Sequence, residues 1–321
     1  MTVNENNQTL PAREALLKTR VRISKYVHLT PVMTSRGIDR ICSAAIFFKC
    51  ENFQRTGSFK FRGALNAIMN LADAEKRQGV ITHSSGNFAQ ALALASRKQG
   101  IQATVIMPDT ASRVKRTATE GYGASVVECG STLDEREATL RDIAEETSAV
   151  FIHPSNQFDV ILGQSTAAQE FINNFPQLDF LLAPVGGGGL IAGTALAAYY
   201  LSPETEVLGA EPFGADDAYQ SLKAGEIIPC KNPRTIADGL KTSLGDKNFP
   251  IIQALVKNII RVEENEIVQA MQLVWERLKI VIEPSSAVAL AAVIRRRDQF
   301  TGKKVGIILS GGNVDLNQLP F

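Results

Sequence analysis

The stretch ENFQRTGSFKFRGA, residues 51–64, places Lys60 between Phe59 and Phe61. It follows an apolar run, AIFFKC (45–50), and leads into a helical pattern, and this order of strand, loop and helix recurs along the chain. A lysine between apolar residues on a helix usually extends its ammonium group along apolar surface to solvent. A lysine held in a dry pocket instead loses proton affinity and becomes a usable nucleophile. The rest of the sequence has to decide between these two interpretations.

Short runs rich in Val, Ile and Leu alternate with helical patterns throughout the chain. After residues 45–50, the predicted strands are 80–84, 103–108, 125–129, 150–154, 179–185, 206–212 and 304–311. Near-continuous apolar strands separated by helices predict parallel sheets that helices cover on both faces. We therefore expect an open α/β fold, in which ligands bind at the carboxyl ends of the strands.

The composition is ordinary for a globular protein. The 321 residues are 45% hydrophobic and 21% charged, which suffices for a large core and about two domains. A formal net charge of +1 gives no electrostatic reason to expect nucleic acid or a membrane surface as a partner. No apolar run reaches the roughly 18 residues of a membrane span, and the polar N-terminal stretch lacks a signal-peptide pattern. Four cysteines without metal-type spacing predict reduced thiols in a cytoplasmic protein.

Three further loops follow predicted strands and carry small or polar residues. HSSGNFAQ (83–90) starts a helix, so helix capping by Ser or Asn is its simpler explanation when it is taken alone. VGGGGLIAG (185–193) has four consecutive glycines, whose amides can approach an anion at the N-terminus of the next helix. LSGGNVD (309–315) follows the last strand and is a weaker candidate for binding an anion or a ring, with a glycine turn as the alternative.

The glycine run also fits a dinucleotide-binding pattern. Gly187, Gly189 and Ala192 match G-x-G-x-x-A, and Glu211 follows about 20 residues later. The pattern alone is weakly specific, and it gives no role to Lys60 or to the serines of the other loops. A nicotinamide-dependent dehydrogenase is therefore kept as an alternative to the hypothesis that uses all four loops, and it belongs to a different class of enzyme. The absorption spectrum of the bound cofactor distinguishes the two hypotheses.

Taken in order, these motifs resemble those of the fold type II pyridoxal-phosphate (PLP) enzymes, in the branch of the serine/threonine dehydratases and serine racemase. The resemblance covers nearly the whole chain. It implies an α/β fold of two open, twisted, mostly parallel sheets covered by helices. The cofactor is implied to lie between a large domain (1–78 and 155–321) and a small domain (79–154). The resemblance also implies a homodimer without a C-terminal regulatory domain, acting on a small amino acid.

The resemblance gives each loop a role. It implies that Lys60 binds PLP covalently, that Phe59 lies beside the cofactor, and that Ser310 is the partner of the pyridine nitrogen. The implied phosphate site is the glycine run Gly186, Gly187, Gly188 and Gly189. The implied loop for the substrate carboxylate is Ser84, Ser85, Gly86, Asn87 and Phe88, and Asn87 also reaches the phenolic oxygen of PLP.

A longer segment, GAEPFGADDAYQSLKAG (209–225), resembles the one that binds a divalent cation in the serine racemase branch. The resemblance implies Glu211 and Asp217 as carboxylate ligands, with the Ala215 carbonyl between them. Oxygen ligands of this kind suit Mg²⁺, Ca²⁺ or Mn²⁺. Acidic residues stabilised by the N-terminus of a helix are the alternative explanation.

The resemblance predicts a PLP-dependent dehydratase (ammonia-lyase) that converts serine, threonine or 3-hydroxyaspartate to a 2-oxo acid and ammonia. In this interpretation, Phe59 and Phe61 keep the amine of Lys60 dry and neutral. Ser85 is implied to lie on the cofactor face opposite Lys60, which makes a serine or aspartate racemase with dehydratase side activity the alternative. Phe88 stands where the family usually has histidine, which points to a change of specificity.

Overall fold

Strands and helices alternate along the computed structural model, which describes residues 1–3, 9–111, 113–175 and 177–321. The strands are β1 (Thr2–Val3), β2 (Thr9–Leu10), β3 (Val32–Met33), β4 (Ala45–Cys50), β5 (Val80–His83), β6 (Ala103–Pro108), β7 (Ser125–Cys129), β8 (Val150–Phe151), β9 (Phe180–Pro184), β10 (Glu206–Pro212), β11 (Asn258–Val262) and β12 (Lys304–Leu309). The helices are α1 (Arg13–Ile23), α2 (Arg36–Cys42), α3 (Lys60–Asn70), α4 (Asp73–Gln78), α5 (Asn87–Gln99), α6 (Arg113–Gly121), α7 (Leu133–Thr147), α8 (Phe158–Asn174), α9 (Gly189–Leu201), α10 (Asp217–Ala224), α11 (Phe249–Leu255), α12 (Glu264–Leu278), α13 (Pro284–Arg295) and α14 (Arg297–Phe300).

Two sheets carry the fold. The first has six strands in the order β11-β10-β9-β12-β4-β3, and among the described strands only β3 runs antiparallel to its neighbour there. The second has four parallel strands in the order β7-β6-β5-β8. The short β1 and β2 form a separate antiparallel pair. The prediction of two mostly parallel sheets is confirmed.

Helices cover both faces of each sheet. The six-stranded sheet packs against α12 and α13 on one face and against α8 and α9 on the other. The four-stranded sheet packs against α3 and α5 on one face, and α7 places Leu140 against Ile81 and Ile106 on the other. Burial from both sides explains why the central strands are continuous apolar runs in the sequence.

The helix that begins at Lys60, α3, packs between α8 and α5 and so joins the two sheets. Its approach to α8 is close because Gly63 and Gly163 have no side chains. A Cβ on Gly163 would lie 2.5 Å from the Arg62 carbonyl oxygen, and one on Gly63 would lie 2.8 Å from that of Val160. This crossing places the start of α3 where the carboxyl ends of both sheets meet.

The cysteines are free thiols, of which Cys42 and Cys50 are buried and Cys129 and Cys230 half-buried. Burial raises the pKa of the Cys42 and Cys50 thiols to about 12, so both are protonated near neutral pH. Within the described ranges, no helix is long and apolar enough to cross a membrane.

Candidate active site

Lys60 lies in a pocket formed by the start of α3, the turn after β8 and two aromatic rings. Its Nζ donates a hydrogen bond to the Pro154 carbonyl at 3.0 Å. The same atom lies 5.1 Å from the centre of the Phe59 ring and 5.8 Å from that of Phe88. Burial lowers the pKa of Lys60 from 10.5 to about 8, and the nearby Glu283 carboxylate acts in the opposite direction. The amine therefore loses its proton near pH 8, as a nucleophile or base must.

One of the two rings beside Lys60 differs from the sequence prediction. Phe61 is fully buried in the core between α3, α5 and the four-stranded sheet. Adjacent residues on a helix point to different faces, so Phe61 cannot share the pocket face of Lys60. Phe88, the second residue of α5, supplies the second ring instead. The residue that replaces the family's usual histidine is thus the one that faces the lysine.

The Lys60 segment is held against the loop that follows β12. The backbone N–H of Phe59 donates to the Ser310 carbonyl at 3.0 Å. Gly57 has φ of +73°, and a Cβ there would overlap the Asn313 side chain, so glycine is required on both counts. The structure therefore brings together the first and last of the four loops that the sequence singled out.

Ser310 is buried, and its hydroxyl lies 3.0 Å from that of Ser286. Ser286 Oγ also donates to the Gly311 carbonyl at 2.6 Å and accepts the Gly311 N–H at 2.7 Å. Ser286 was not predicted as a site residue. It holds the turn that orients Ser310, and no local motif around it signals this contact across 24 residues.

The SSGN loop connects β5 to α5 and carries the predicted carboxylate-binding residues. Ser84 and Ser85 are half-buried, and Ser84 Oγ accepts a backbone N–H within the loop. Asn87 begins α5 and donates through Nδ2 to both carboxylate oxygens of Glu283, at 2.9 and 3.1 Å. Its Oδ1 accepts a hydrogen bond from Asn313 at 2.9 Å. Asn87 thus connects the SSGN loop to the loop that follows β12.

Glu283 is a site residue that the sequence did not reveal. Its side chain is buried directly before α13, where it faces Asn87 and Lys60. Burial and the charge of Asp238 raise the pKa of Glu283 to about 7, against the opposing effect of the Asn87 hydrogen bond. A carboxyl group with a pKa near neutrality can hold or release a proton beside the lysine. The available signal was an acidic residue between two apolar runs, just before the proline that starts a helix.

The glycine run lies at the N-terminus of α9. Gly188 has φ of +77°, which glycine adopts without strain. A Cβ on Gly187 would lie 2.5 Å from Ser155 Oγ, and one on Gly189 would lie 3.0 Å from the Ser155 carbonyl oxygen. The first turn of α9 leaves backbone N–H groups without partners inside the helix. These contacts explain why packing requires glycine here, and the bare loop at a helix N-terminus fits a phosphate group, which its amides can approach closely.

Glu211 and Asp217 lie in the predicted cation-binding segment, and both side chains are buried. Burial and the charge of Asp217 raise the pKa of Glu211, and burial raises the pKa of Asp217 to about 6. Neither Asp217 oxygen has a hydrogen-bond partner of normal geometry among the described residues. Glu211 lies near the end of β10, and Ala215 ends a short 3₁₀ turn two residues before Asp217, the first residue of α10. Two buried carboxyl groups, one of them without a hydrogen-bond partner among the described residues, fit a hard divalent cation.

The hydrogen bonds of Glu211 and the number of acidic side chains nearby limit how this segment could bind a cation. The Glu211 carboxylate accepts the N–H groups of Ala218 and Tyr219, at 3.1 and 2.8 Å, so it faces the first turn of α10. In the part of the chain that the structure describes, no three His, Cys, Asp or Glu side chains form a metal-binding group. Backbone carbonyls and water would have to complete the coordination of a cation here.

The convergence of a lysine of lowered pKa, a bare glycine loop at a helix N-terminus and a buried serine fits an aldehyde cofactor with a phosphate and a pyridine ring. The sequence model of the family described as "Pyridoxal-phosphate dependent enzyme" matches residues 23–311. The chain belongs to this family. PLP is therefore its cofactor, and the nicotinamide alternative is wrong.

Similarity to PLP-dependent enzymes extends over almost the full chain. Serine racemase of Dictyostelium discoideum is 50% identical over 303 residues, which are 93% of each chain. The β-hydroxyaspartate dehydratase of Paracoccus denitrificans is 45% identical over 312 residues, 97% of this chain and 99% of the relative. The crystal structure of D. discoideum serine racemase superposes with a TM-score of 0.91 at 48% identity, covering 94% of this chain and 98% of that one. The predicted fold class and the predicted branch are confirmed.

The proximity of Lys60 and Glu283 predicts a measurable pH dependence. PLP reacts only with the neutral amine, so the rate of its incorporation into the apo-protein is expected to rise with pH and level off above about 8. The Glu283 carboxylate favours the ammonium form of Lys60, so Glu283→Gln should move this inflection to lower pH. Stopped-flow absorbance across a pH series measures both curves. An inflection near the ordinary lysine value in the unmodified protein, or an upward move in the variant, would contradict the assignment.

Proposed function

We propose that this chain is a PLP-dependent dehydratase (ammonia-lyase) that converts a 3-hydroxy amino acid to a 2-oxo acid and ammonia. The observation that carries the proposal is the position of Lys60, whose amine is neutral above about pH 8 beside the SSGN loop. The 45% identity with a β-hydroxyaspartate dehydratase over 97% of this chain supports the same reaction class. Serine, threonine and 3-hydroxyaspartate are the substrates we propose.

Each site residue has a part in this proposal. PLP, when bound, supplies the electron sink that stabilises negative charge on the α-carbon of the substrate. Lys60 holds the cofactor and, as a free neutral amine, removes the α-proton. Ser84, Ser85 and the neighbouring amides bind the substrate carboxylate, and the N–H groups of the glycine run bind the phosphate. By family resemblance, Asn87 would hydrogen-bond the phenolic oxygen of PLP, and Ser310 would hydrogen-bond its pyridine nitrogen.

A substrate panel tests the proposed function. The purified holoenzyme is incubated with the L- and D-isomers of serine and threonine and with the threo and erythro isomers of 3-hydroxyaspartate. We expect equimolar 2-oxo acid and ammonia from at least one of them, measured by derivatisation of the oxo acid and by an ammonia assay. The absence of a 2-oxo acid from every member of the panel would contradict the proposal.

A serine or aspartate racemase is the second candidate, favoured by the presence of Ser85 and by the 50% identity with a serine racemase. By family resemblance, Ser85 lies on the face of the cofactor opposite Lys60. Removal of the α-proton on one face and its return on the other inverts the α-carbon. Elimination needs only the first of these transfers, so the two activities should depend differently on Ser85.

Ser85→Ala is expected to lower racemisation by about 10²-fold, the contribution of one acid–base group, while elimination stays within a few-fold. Chiral chromatography of L-serine and L-aspartate incubations measures the first activity, and 2-oxo acid formation measures the second. Ser84→Ala is the matched control, which should change both activities to the same degree. Equal losses of both activities in Ser85→Ala would rule out Ser85 as the second acid–base group, and no D-isomer from the unmodified enzyme would rule out the racemase assignment.

We also propose that Glu211, Asp217 and the Ala215 carbonyl bind Mg²⁺, Ca²⁺ or Mn²⁺. A cation at about 100 times its Kd stabilises a protein by about 2.7 kcal/mol, so we expect Mg²⁺ to raise the Tm by about 5 °C. Asp217→Asn should abolish this rise. Asp216→Asn, which removes a carboxylate paired with Arg261 at 2.8 Å, is the control that should retain it. Unchanged melting of the unmodified protein on addition of Mg²⁺, Ca²⁺ or Mn²⁺ would count against the site.

The domain division and the assembly are proposals as well. We propose a large domain of residues 1–78 and 155–321 and a small domain of residues 79–154. The division is supported by the four-stranded sheet, whose strands all lie between residues 80 and 151. We propose a cytoplasmic homodimer, for which light scattering should give twice the chain mass of 34.8 kDa.

A further inference from the structure

The turn of residues 153–157 connects β8 to α8 and contacts two parts of the active site. The Pro154 carbonyl accepts the hydrogen bond from Lys60 Nζ at 3.0 Å. Ser155 lies against the glycine run, where its Oγ would be 2.5 Å from a Cβ on Gly187. The conformation of this one turn therefore sets both the surroundings of the lysine and one edge of the phosphate site.

His153 holds the turn together from the inside. Its Nδ1 accepts the backbone N–H of Ser155 at 3.1 Å and that of Asn156 at 2.7 Å. The backbone N–H of His153 donates to Gln157 Oε1 at 3.1 Å, next to the start of α8. A ring nitrogen that accepts hydrogen bonds carries no proton, so the neutral ring has its proton on Nε2.

The surroundings of His153 favour this neutral form. Three titratable groups face the ring: His83 from β5, at 6.2 Å between ring centres, Lys60 from α3 and Asp246 from the segment before α11. Burial, His83 and Lys60 lower the pKa of His153 to about 4, and Asp246 acts weakly in the opposite direction. Protonation of Nδ1 would place an N–H against two amide donors and remove both hydrogen bonds.

We propose that His153 is a positioning residue of the PLP site, whose neutral imidazole holds the turn that sets Pro154 against Lys60 and Ser155 against the glycine run. The proposal deepens the proposed function and relies on PLP binding, whichever amino acid is the substrate. In this proposal, His153 positions the turn and transfers no proton through Nδ1. It also differs from simple packing of the ring against His83 and Phe151, whose ring centres lie 6.2 and 5.9 Å away.

Two variants distinguish the effect of the Nδ1 acceptor of His153 from the effect of packing its ring. His153→Asn keeps an acceptor atom near the position of Nδ1, whereas His153→Phe keeps an aromatic ring and loses the acceptor. We expect PLP affinity of His153→Asn within about threefold of the unmodified protein, and of His153→Phe weaker by roughly tenfold or more, because two buried amides lose their partner. Fluorescence titration of the apo-proteins measures this affinity.

The same variants should differ in the titration of Lys60. Displacement of the Pro154 carbonyl removes an acceptor from the ammonium form, so the pH inflection of PLP incorporation should move down in His153→Phe. It should stay near 8 in His153→Asn. Equal behaviour of the two variants, in affinity and in pH profile, would overturn the proposal.

A second measurement is made on the unmodified holoenzyme, in which the turn of residues 153–157 is unchanged. The chain has three histidines, so a long-range ¹H–¹⁵N correlation spectrum of the ¹⁵N-histidine-labelled holoenzyme contains three ring systems. His153, assigned by its loss in His153→Asn, should be a neutral Nε2–H tautomer at every pH above about 5.5. A protonated Nδ1 in this range would overturn the proposal. Neither readout uses an amino-acid substrate, so failure of the dehydratase assay would leave both results interpretable.

Discussion

Replacement of Lys60 by alanine is expected to lower turnover of every 3-hydroxy amino acid by roughly 10⁴-fold or more. The variant lacks both the amine that holds the cofactor and the base that removes the α-proton. No other lysine is expected to substitute for it, because the turn at Pro154 and the rings of Phe59 and Phe88 surround this one position. Formation of 2-oxo acid over hours at high enzyme concentration measures the remaining activity.

Two controls make the Lys60 result specific. Borohydride treatment of the unmodified holoenzyme, followed by peptide mapping, should place PLP on Lys60, and the variant should give no labelled peptide there. Lys76→Ala removes a lysine of α4 that pairs with Asp73 at 3.5 Å, and it should leave turnover unchanged. Activity of Lys60→Ala within tenfold of the unmodified enzyme, or a label on another lysine, would contradict the assignment.

Much of the framework could be predicted because the central strands are buried on both faces. The bounds of β4, β6 and β10 agree with the predicted runs, since a strand without a solvent face has no polar positions to interrupt it. The partly exposed edge strand β7 also has the predicted bounds. The edge strand β8 ends at Phe151, although the apolar pattern continued to 154, because the chain turns away there toward α8. The two-residue β3 and the edge strand β11 were not predicted, since short edge strands carry little periodic signal.

The loops of the site could be predicted for a related reason, because parallel strands place their carboxyl ends at one edge of a sheet. The side chains that complete the site could not. Phe88, and not Phe61, lies beside Lys60 because of the way α3 crosses α8 and α5, which no local pattern encodes. Glu283 meets Asn87 across 196 residues, so its role became visible only in the folded chain.

A buried charge network under the Lys60 helix gives the largest expected effect on stability. Arg62, two residues after Lys60, donates to Glu51 and to Glu170, each at 2.7 Å. Lys49 donates to the second oxygen of Glu170, also at 2.7 Å. The side chains of Arg62, Glu51 and Lys49 are fully buried. The network connects α3 to the strand β4, to the turn after it and to α8.

Arg62→Met is expected to lower the free energy of unfolding by about 3–5 kcal/mol. The substitution approximately keeps the side-chain volume and leaves two buried carboxylates with Lys49 as their remaining cation. The loss arises from those uncompensated charges more than from the ion pairs themselves, since burying the pairs already costs desolvation energy. Urea unfolding of the holoenzyme, followed by circular dichroism at fixed PLP concentration, measures the change.

The comparison that tests this origin is a double variant. Glu51→Gln added to Arg62→Met removes one of the uncompensated carboxylates, so it should restore part of the lost stability although it deletes a further native partner. Arg116→Met, which breaks exposed pairs with Glu120, at 3.1 Å, and with Glu128, should cost about 1 kcal/mol or less. A loss of about 1 kcal/mol or less in Arg62→Met would contradict the idea that uncompensated buried carboxylates cause the loss of stability. A double variant less stable than the single one would contradict it as well. Arg62 anchors the turn of helix that carries Lys60, so Arg62→Met should also weaken PLP binding. A double variant with partly restored stability should recover part of this affinity.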